Sequence, residues 1–122
     1  SSCTTVFREL TRERGGRMTA KTWGKAMELM KGNPIIRPRV TRNDVHRVFH
    51  REAMREVRER GQQQAGDGGF TIGISRFLSL LLDMAELIEV HAFTVFCAVA
   101  SHADQLVSER RSREEAAAMG SV

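Results

Sequence analysis

Two stretches of this chain repeat one pattern. Each has apolar residues on an incoming segment, then glycines, then an aliphatic residue, then an aromatic five positions later. The first stretch carries Phe7, Leu10, Gly15, Gly16, Met18, Thr19 and Trp23. The second carries Phe49, then Asp67, Gly68, Gly69, Ile72, Gly73 and Phe77. Glycine permits the sharp reversal that ends an incoming helix. The repeat predicts two helix–loop–helix units. Met18 and Ile72 would meet between the loops, Trp23 and Phe77 would open the outgoing helices, and all four would share a core with Phe7 and Phe49.

That layout is an EF-hand pair. The expected fold class is therefore all-α: EF-hand-like helix pairs, a short two-residue β-bridge and an extra C-terminal helix. The first helix is marked by Val6, Phe7 and Leu10 and ends at Gly15. Thr19 caps the second, whose apolar face is Trp23, Ala26, Met27 and Met30. Pro34 and Pro38 make Gly32–Arg39 a connector. Thr41 caps the third, with Val45, Val48, Phe49 and Ala53 inward, while the charged turns from Arg51 to Arg60 project into solvent. Gly61–Gly69 is a Gly/Gln-rich connector. The fourth helix begins near Ile74, with Phe77, Leu78, Leu80, Leu81, Leu82 and Met84, and bends near Leu87–Val90. The fifth runs from about Val90 to Glu109, with Phe93, Phe96, Cys97, Val99, Ala100 and Leu106 as its apolar set. The helical domain thus covers 1–110, and 111–122 forms a flexible tail.

The loops lack the chemistry of calcium. With Met18 as the eighth loop position, the first, third, fifth, ninth and twelfth are Thr11, Glu13, Gly15, Thr19 and Thr22. In the second loop they are Ala65, Asp67, Gly69, Gly73 and Arg76. Calcium takes about six to eight oxygens and normally a bidentate glutamate at the last position. One carboxylate per loop, and a cation at the twelfth position of the second, cannot replace the ion's hydration shell. His46 and His50 have the i, i+4 spacing of a zinc pair, but no third ligand accompanies them. No metal or other cofactor is expected, with these histidines as the weak zinc candidates.

Several segments resemble the tubulin polymerization-promoting (p25-alpha) protein family. Ala20-Lys21-Thr22-Trp23-Gly24-Lys25, followed by Met30-Lys31, is similar to its Gly-Lys-Asn-Trp-Ser-Lys segment. Val40-Thr41-Arg42-Asn43-Asp44-Val45, with Val48-Phe49, resembles its Val-Thr-x-Thr-Asp-Val stretch. Phe70-Thr71-Ile72-Gly73-Ile74-Ser75-Arg76-Phe77 resembles its Arg-Thr-Ile-Thr-Phe-Glu-Gln-Phe. Order and most spacings agree from about residue 4 to 90. The resemblance implies a degenerate EF-hand pair that binds tubulin and microtubules, in the cytoplasm on the cytoskeleton, including that of flagella and cilia. The longer 58–69 loop, the more apolar fifth helix and the absent glycine-rich C-terminal segment depart from the family pattern. The last departure bears on microtubule bundling more than on the fold.

Net charge is +4, from 19 Lys and Arg against 15 Asp and Glu. Arg47, Arg51, Arg55 and Arg58 step by three or four along one helix, a cationic stripe diluted by Glu52, Glu56 and Glu59. With Lys21 and Lys25 they form the candidate partner-binding surface, suited to an acidic protein. No aromatic residue interleaves the arginines, which counts against single-stranded nucleic acid. The alternatives are a generic module that takes a partner helix in an apolar groove, aided by Met27, Met30 and Met84, and a small nucleic-acid-binding protein. No phosphate-binding loop or nucleophile motif occurs, and His91 and Cys97 are six residues apart, so neither catalysis nor a small-molecule substrate is expected. The apolar run from Phe77 to Ala100 carries Asp83, Glu86 and Glu89, which argues against a membrane span. Cys3 and Cys97, distant in sequence, are expected as free thiols in a reducing compartment, Cys97 as a small core residue.

The loop chemistry sets a first test. Millimolar calcium should shift neither the melting temperature nor Trp23 fluorescence. A response at micromolar calcium would show that the loop positions above are misaligned.

Overall fold

The structure, a computed structural model, describes residues 1–60 and 69–120, with the backbone alone at residue 60. The Gly/Gln-rich segment, including Ala65 and Asp67, falls almost wholly outside the described residues, as do the last two positions. Helix α1 spans Ser2–Thr11, and Ser1 Oγ accepts a hydrogen bond from Thr4 N. A 3₁₀ turn at Arg12–Arg14 tightens its end, and Gly15 and Gly16 reverse the chain at φ values of 65° and 79°. Both angles are left-handed, where a Cβ would be strained. Strand β1 is Met18–Thr19, and Thr19 caps α2, Ala20–Met30, by accepting from Thr22 N at 3.2 Å.

The connector is ordered by Asn33, whose Oδ1 accepts from Ile35 N at 2.8 Å and drives Ile36 into the core. Thr41 Oγ1 accepts from Asp44 N at 3.1 Å and starts α3, Arg42–Arg60. Strand β2 is Thr71–Ile72, followed by α4, Ile74–Leu87. The two strands pair antiparallel, with Met18 opposite Ile72 and Thr19 opposite Thr71. The chain is thus all-α, with two EF-hand-like helix–loop–helix units joined by a two-residue bridge and extended by C-terminal helices.

One core serves both units. Phe7, Met18, Trp23, Phe49, Ile72 and Phe77 are all buried in it. Trp23 meets Phe77 edge to face at 6.2 Å, and Phe7 packs on Phe77 at 5.2 Å. The indole N–H donates to Val45 O at 3.0 Å, so the ring's polar atom is satisfied inside. Met27, Met30 and Met84 are core filling rather than an exposed groove lining.

Three expectations are corrected. The turns of α3 after Arg51 do not project wholly into solvent, because Glu52 and Glu56 are buried beside the expected Ala53, where α3 packs on α4. The fifth helix is two helices, α5 at Ala92–Ala100 and α6 at Ala103–Gly120. Ser101 Oγ donates to Ala98 O at 2.9 Å, and the His102 ring bonds Leu29 O at 3.0 Å, which holds the break. Helix α6 then continues past Arg110 to Gly120, beyond the 1–110 bound expected for the helical domain. Arg110 Nε reaches Glu9 on α1 at 2.8 Å, and Arg110 also pairs with Glu114 one turn on. Third, α5 buries Val95, Ala98 and Val99, while Phe93 and Cys97 are exposed, as is Leu82 on α4. Among the described residues no helix is long and apolar enough to cross a membrane.

Trp23 carries the join between the two units. Trp23→Ala should cost about 3–5 kcal/mol in urea unfolding. A variant within a couple of degrees of wild type in melting temperature would remove Trp23 from the core.

Candidate functional site

The loops that would hold calcium in an EF-hand are closed here by arginines. Arg17, one residue before the bridge, crosses to the second loop. Its Nη2 donates to Thr71 O at 3.1 Å and its Nε to Thr71 Oγ1 at 3.2 Å, and the guanidinium also pairs with Glu56 on α3. Gly73 leaves room for this crossing, since a Cβ there would lie 3.0 Å from Arg17 Nη1 and the guanidinium would have to shift slightly. Gly73 N in turn donates to Glu56 at 3.4 Å. Arg76, at the twelfth position of the second loop, pairs with Glu52 at 3.4 Å and with Glu59. Each loop is thus tied to α3 by a guanidinium–carboxylate contact.

Glu52 is the innermost of these carboxylates, with no side-chain exposure. Arg55 Nη1 donates to it at 2.8 Å from the solvent side. Asp83 of α4 approaches it too, and Asp83 Oδ2 lies 3.8 Å from Arg55 and 4.0 Å from Arg51 without accepting a hydrogen bond among the described residues. Burial pushes the Glu52 carboxyl above its ordinary range, the hydrogen bond and charge of Asp83 push it further, and Arg55 and Arg76 oppose them. The folded protein therefore holds a proton here more tightly than the unfolded chain.

The candidate partner-binding residues divide by this criterion. Arg55 is committed to Glu52 and Asp83, and Arg51 stands at the limit of ion-pair distance from Asp83. Arg47 and Arg58 are exposed and form no ion pair among the described residues. Lys21 and Lys25 are exposed on the side of α2 opposite Trp23 and Met27, and they too are unpaired among the described residues. His46, Arg47, His50 and Arg51 border a groove of about 570 Å³ floored by Val48 and Leu87. His50 sets its ring edge to face with Phe70 at 6.2 Å. No group of three or more His, Cys, Asp or Glu residues among the described residues is arranged to hold a metal ion.

Between α2 and the fifth helix, where the helix-in-groove alternative would seat a partner, α5 packs directly on α2. Helix α5 packs on α1, α2 and α4 through Val95, Ala98 and Val99. The arginine clamps were the feature that sequence reasoning missed. Arg76 was legible as a cation in the metal's place. Its partners on α3 could have been sought at Glu52, Glu56 and Glu59, which recur every three or four residues. Comparison with known proteins finds no matching family model, no matching curated protein and no matching solved structure.

The raised carboxyl gives a signed pH dependence. As pH falls, Glu52 takes up its proton in the folded state before the unfolded chain does. This contribution to stability therefore grows as pH falls toward the unfolded value of about 4.3, and is lost as pH rises through the higher folded value. The stability difference between wild type and Glu52→Gln should move in favour of wild type between about pH 7 and about pH 5. Urea denaturation of both proteins across that range checks it. Parallel pH profiles would mean that Glu52 is charged in the folded protein throughout.

Proposed function

We propose that this chain is a non-catalytic, cytoskeleton-associated binding domain that binds tubulin or microtubules through the exposed cationic face of α3. The observation that carries the reading is the split among the arginines. Arg17, Arg55 and Arg76 are used up by internal carboxylates, while Arg47 and Arg58 remain exposed without an ion pair among the described residues. Lys21 and Lys25 add free cations on α2. An acidic protein surface is the matching chemistry, and tubulin is such a surface. The segments around Trp23, Thr41 and Ile72 that resemble the tubulin polymerization-promoting family support the same choice. In this reading the loops need no calcium, because arginines hold them closed, and the domain works in the cytoplasm on microtubule arrays such as those of flagella and cilia.

Exposed charges act over about 8 Å at physiological salt, so attachment through them weakens as salt rises. Wild type should co-sediment with microtubules at low salt and less at moderate salt. Arg47→Glu with Arg58→Glu should weaken binding roughly tenfold while leaving circular dichroism unchanged, since each exposed charge contributes a fraction of a kcal/mol and reversal adds repulsion. Equal pelleting of both proteins at both salts would remove this face from the mechanism. Absence of wild-type binding at low salt, with tight binding to a random DNA duplex in a parallel series, would replace tubulin by nucleic acid.

A further inference from the structure

The two cysteines are 94 positions apart (97 − 3), but the fold brings Cys3 against the residue next to Cys97. Cys3 sits in the first turn of α1, buried against α5, and its thiol donates to Phe96 O at 3.4 Å. That oxygen belongs to the peptide that joins Phe96 to Cys97. Across a trans peptide a carbonyl oxygen lies about 2.8 Å from the next Cα, so Cys3 Sγ is within about 6 Å of Cys97 Cα. Cys97 is exposed, one turn after exposed Phe93 on the outer side of α5. Burial and, after it, the neighbouring Cys97 thiol hold the Cys3 thiol above its ordinary range. Both are free thiols. One thiol is therefore open to solvent and the other waits behind it.

We propose that Cys97 and Cys3 form a thiol-modification site that takes small disulfide oxidants, Cys97 as the residue attacked first and Cys3 as the residue that resolves the adduct. The Cys97 thiolate attacks one sulfur of oxidised glutathione. The oxidant's S–S bond breaks, a mixed disulfide forms on Cys97, and one glutathione thiolate leaves and takes up a proton. Cys3 then loses its proton to solvent and attacks Cys97 Sγ, expelling the second glutathione thiolate. Two protein thiols are oxidised to one disulfide, and one glutathione disulfide is reduced to two thiols. A disulfide needs Cα atoms about 4.4–6.8 Å apart, so forming it requires the first turn of α1 and α5 to bring the two Sγ atoms together. The bond would staple α5 to α1 and so fix α5 over the face it covers. This inference does not depend on the identity of the partner.

The test uses the whole chain with millimolar oxidised glutathione at mildly alkaline pH, followed by intact mass, peptide mapping and thermal melting. The expected product is a monomer lighter by two hydrogens, with a linked Cys3–Cys97 peptide. Its melting temperature should be raised by roughly 10 °C, because the bond closes a long loop in the unfolded chain. Cys3→Ser should stop at a glutathionyl adduct on Cys97, with its melting temperature unchanged by oxidation. Cys97→Ser should take no adduct while folded. If Cys3→Ser fails to fold by circular dichroism, Cys3→Ala replaces it. A lasting glutathionyl adduct on wild type, dimers linked through Cys97, or no reaction at all would each overturn the proposal.

Discussion

The pairing of Arg17 and Arg76 with the glutamates of α3 is the interaction on which the two-loop frame depends. In an EF-hand a divalent ion neutralises the loop carboxylates and ties the loop to the outgoing helix. Here the positive charge is covalently part of the chain and the carboxylates have moved to α3. A guanidinium presents several donors in one plane, which lets Arg17 hold Thr71 through two atoms and Glu56 at once. The clamp needs no ion to be captured and dehydrated, and it is present whenever the chain is folded.

That arrangement carries a cost that shapes its surroundings. A buried ion pair is often no more stabilising than apolar packing of the same volume, but removing one partner leaves an uncompensated charge at about 3–5 kcal/mol. Glu52 shows how the cost is limited. It is ringed by Arg55, Arg76 and a second carboxyl, Asp83, and burial favours its protonated form. The sharing of Arg55 between Glu52 and Asp83 explains why this arginine, which looks free in a helical projection, is held toward the protein. The exposed charge of α3 is therefore smaller than its arginine count suggests, and Arg42, Arg47 and Arg58 carry it without an ion pair among the described residues.

Much of the frame was legible because it rests on short-range rules. Two glycine turns, each followed by an aliphatic residue and an aromatic five positions on, predicted the Met18–Ile72 pairing to the residue. The caps at Thr19 and Thr41 followed from hydroxyls ahead of apolar periodicity. What escaped reading did so for stated reasons. Glu52 and Glu56 look like solvent residues, because a glutamate is buried only when its cation comes from elsewhere, and Arg17 and Arg76 are distant in sequence. Ala92–Ala100 is apolar on nearly every side, so its period does not choose between Val95 and Phe93 or between Val99 and Cys97. The break at Ser101–His102 depends on a bond to Leu29, a contact 73 residues away.

The position of α5 decides which kinds of recognition remain open to the domain. In calmodulin-like pairs a target helix lies in an apolar groove between the two hands. Here α5 packs against α1, α2 and α4, and its small residues Ala98 and Val99 let the backbones approach closely. A partner helix would have to displace α5 and re-expose Val95 and Val99, at about 1.5–3 kcal/mol for each large apolar side chain so exposed. Surface attachment through α2 and α3 has no such cost, since Lys21, Lys25, Arg47 and Arg58 already stand in solvent. The packing of α5 thus accords better with the proposed electrostatic mode than with a helix-in-groove mode, and in that proposal Val48 and Leu87, beside Arg47, would add an apolar part to the contact.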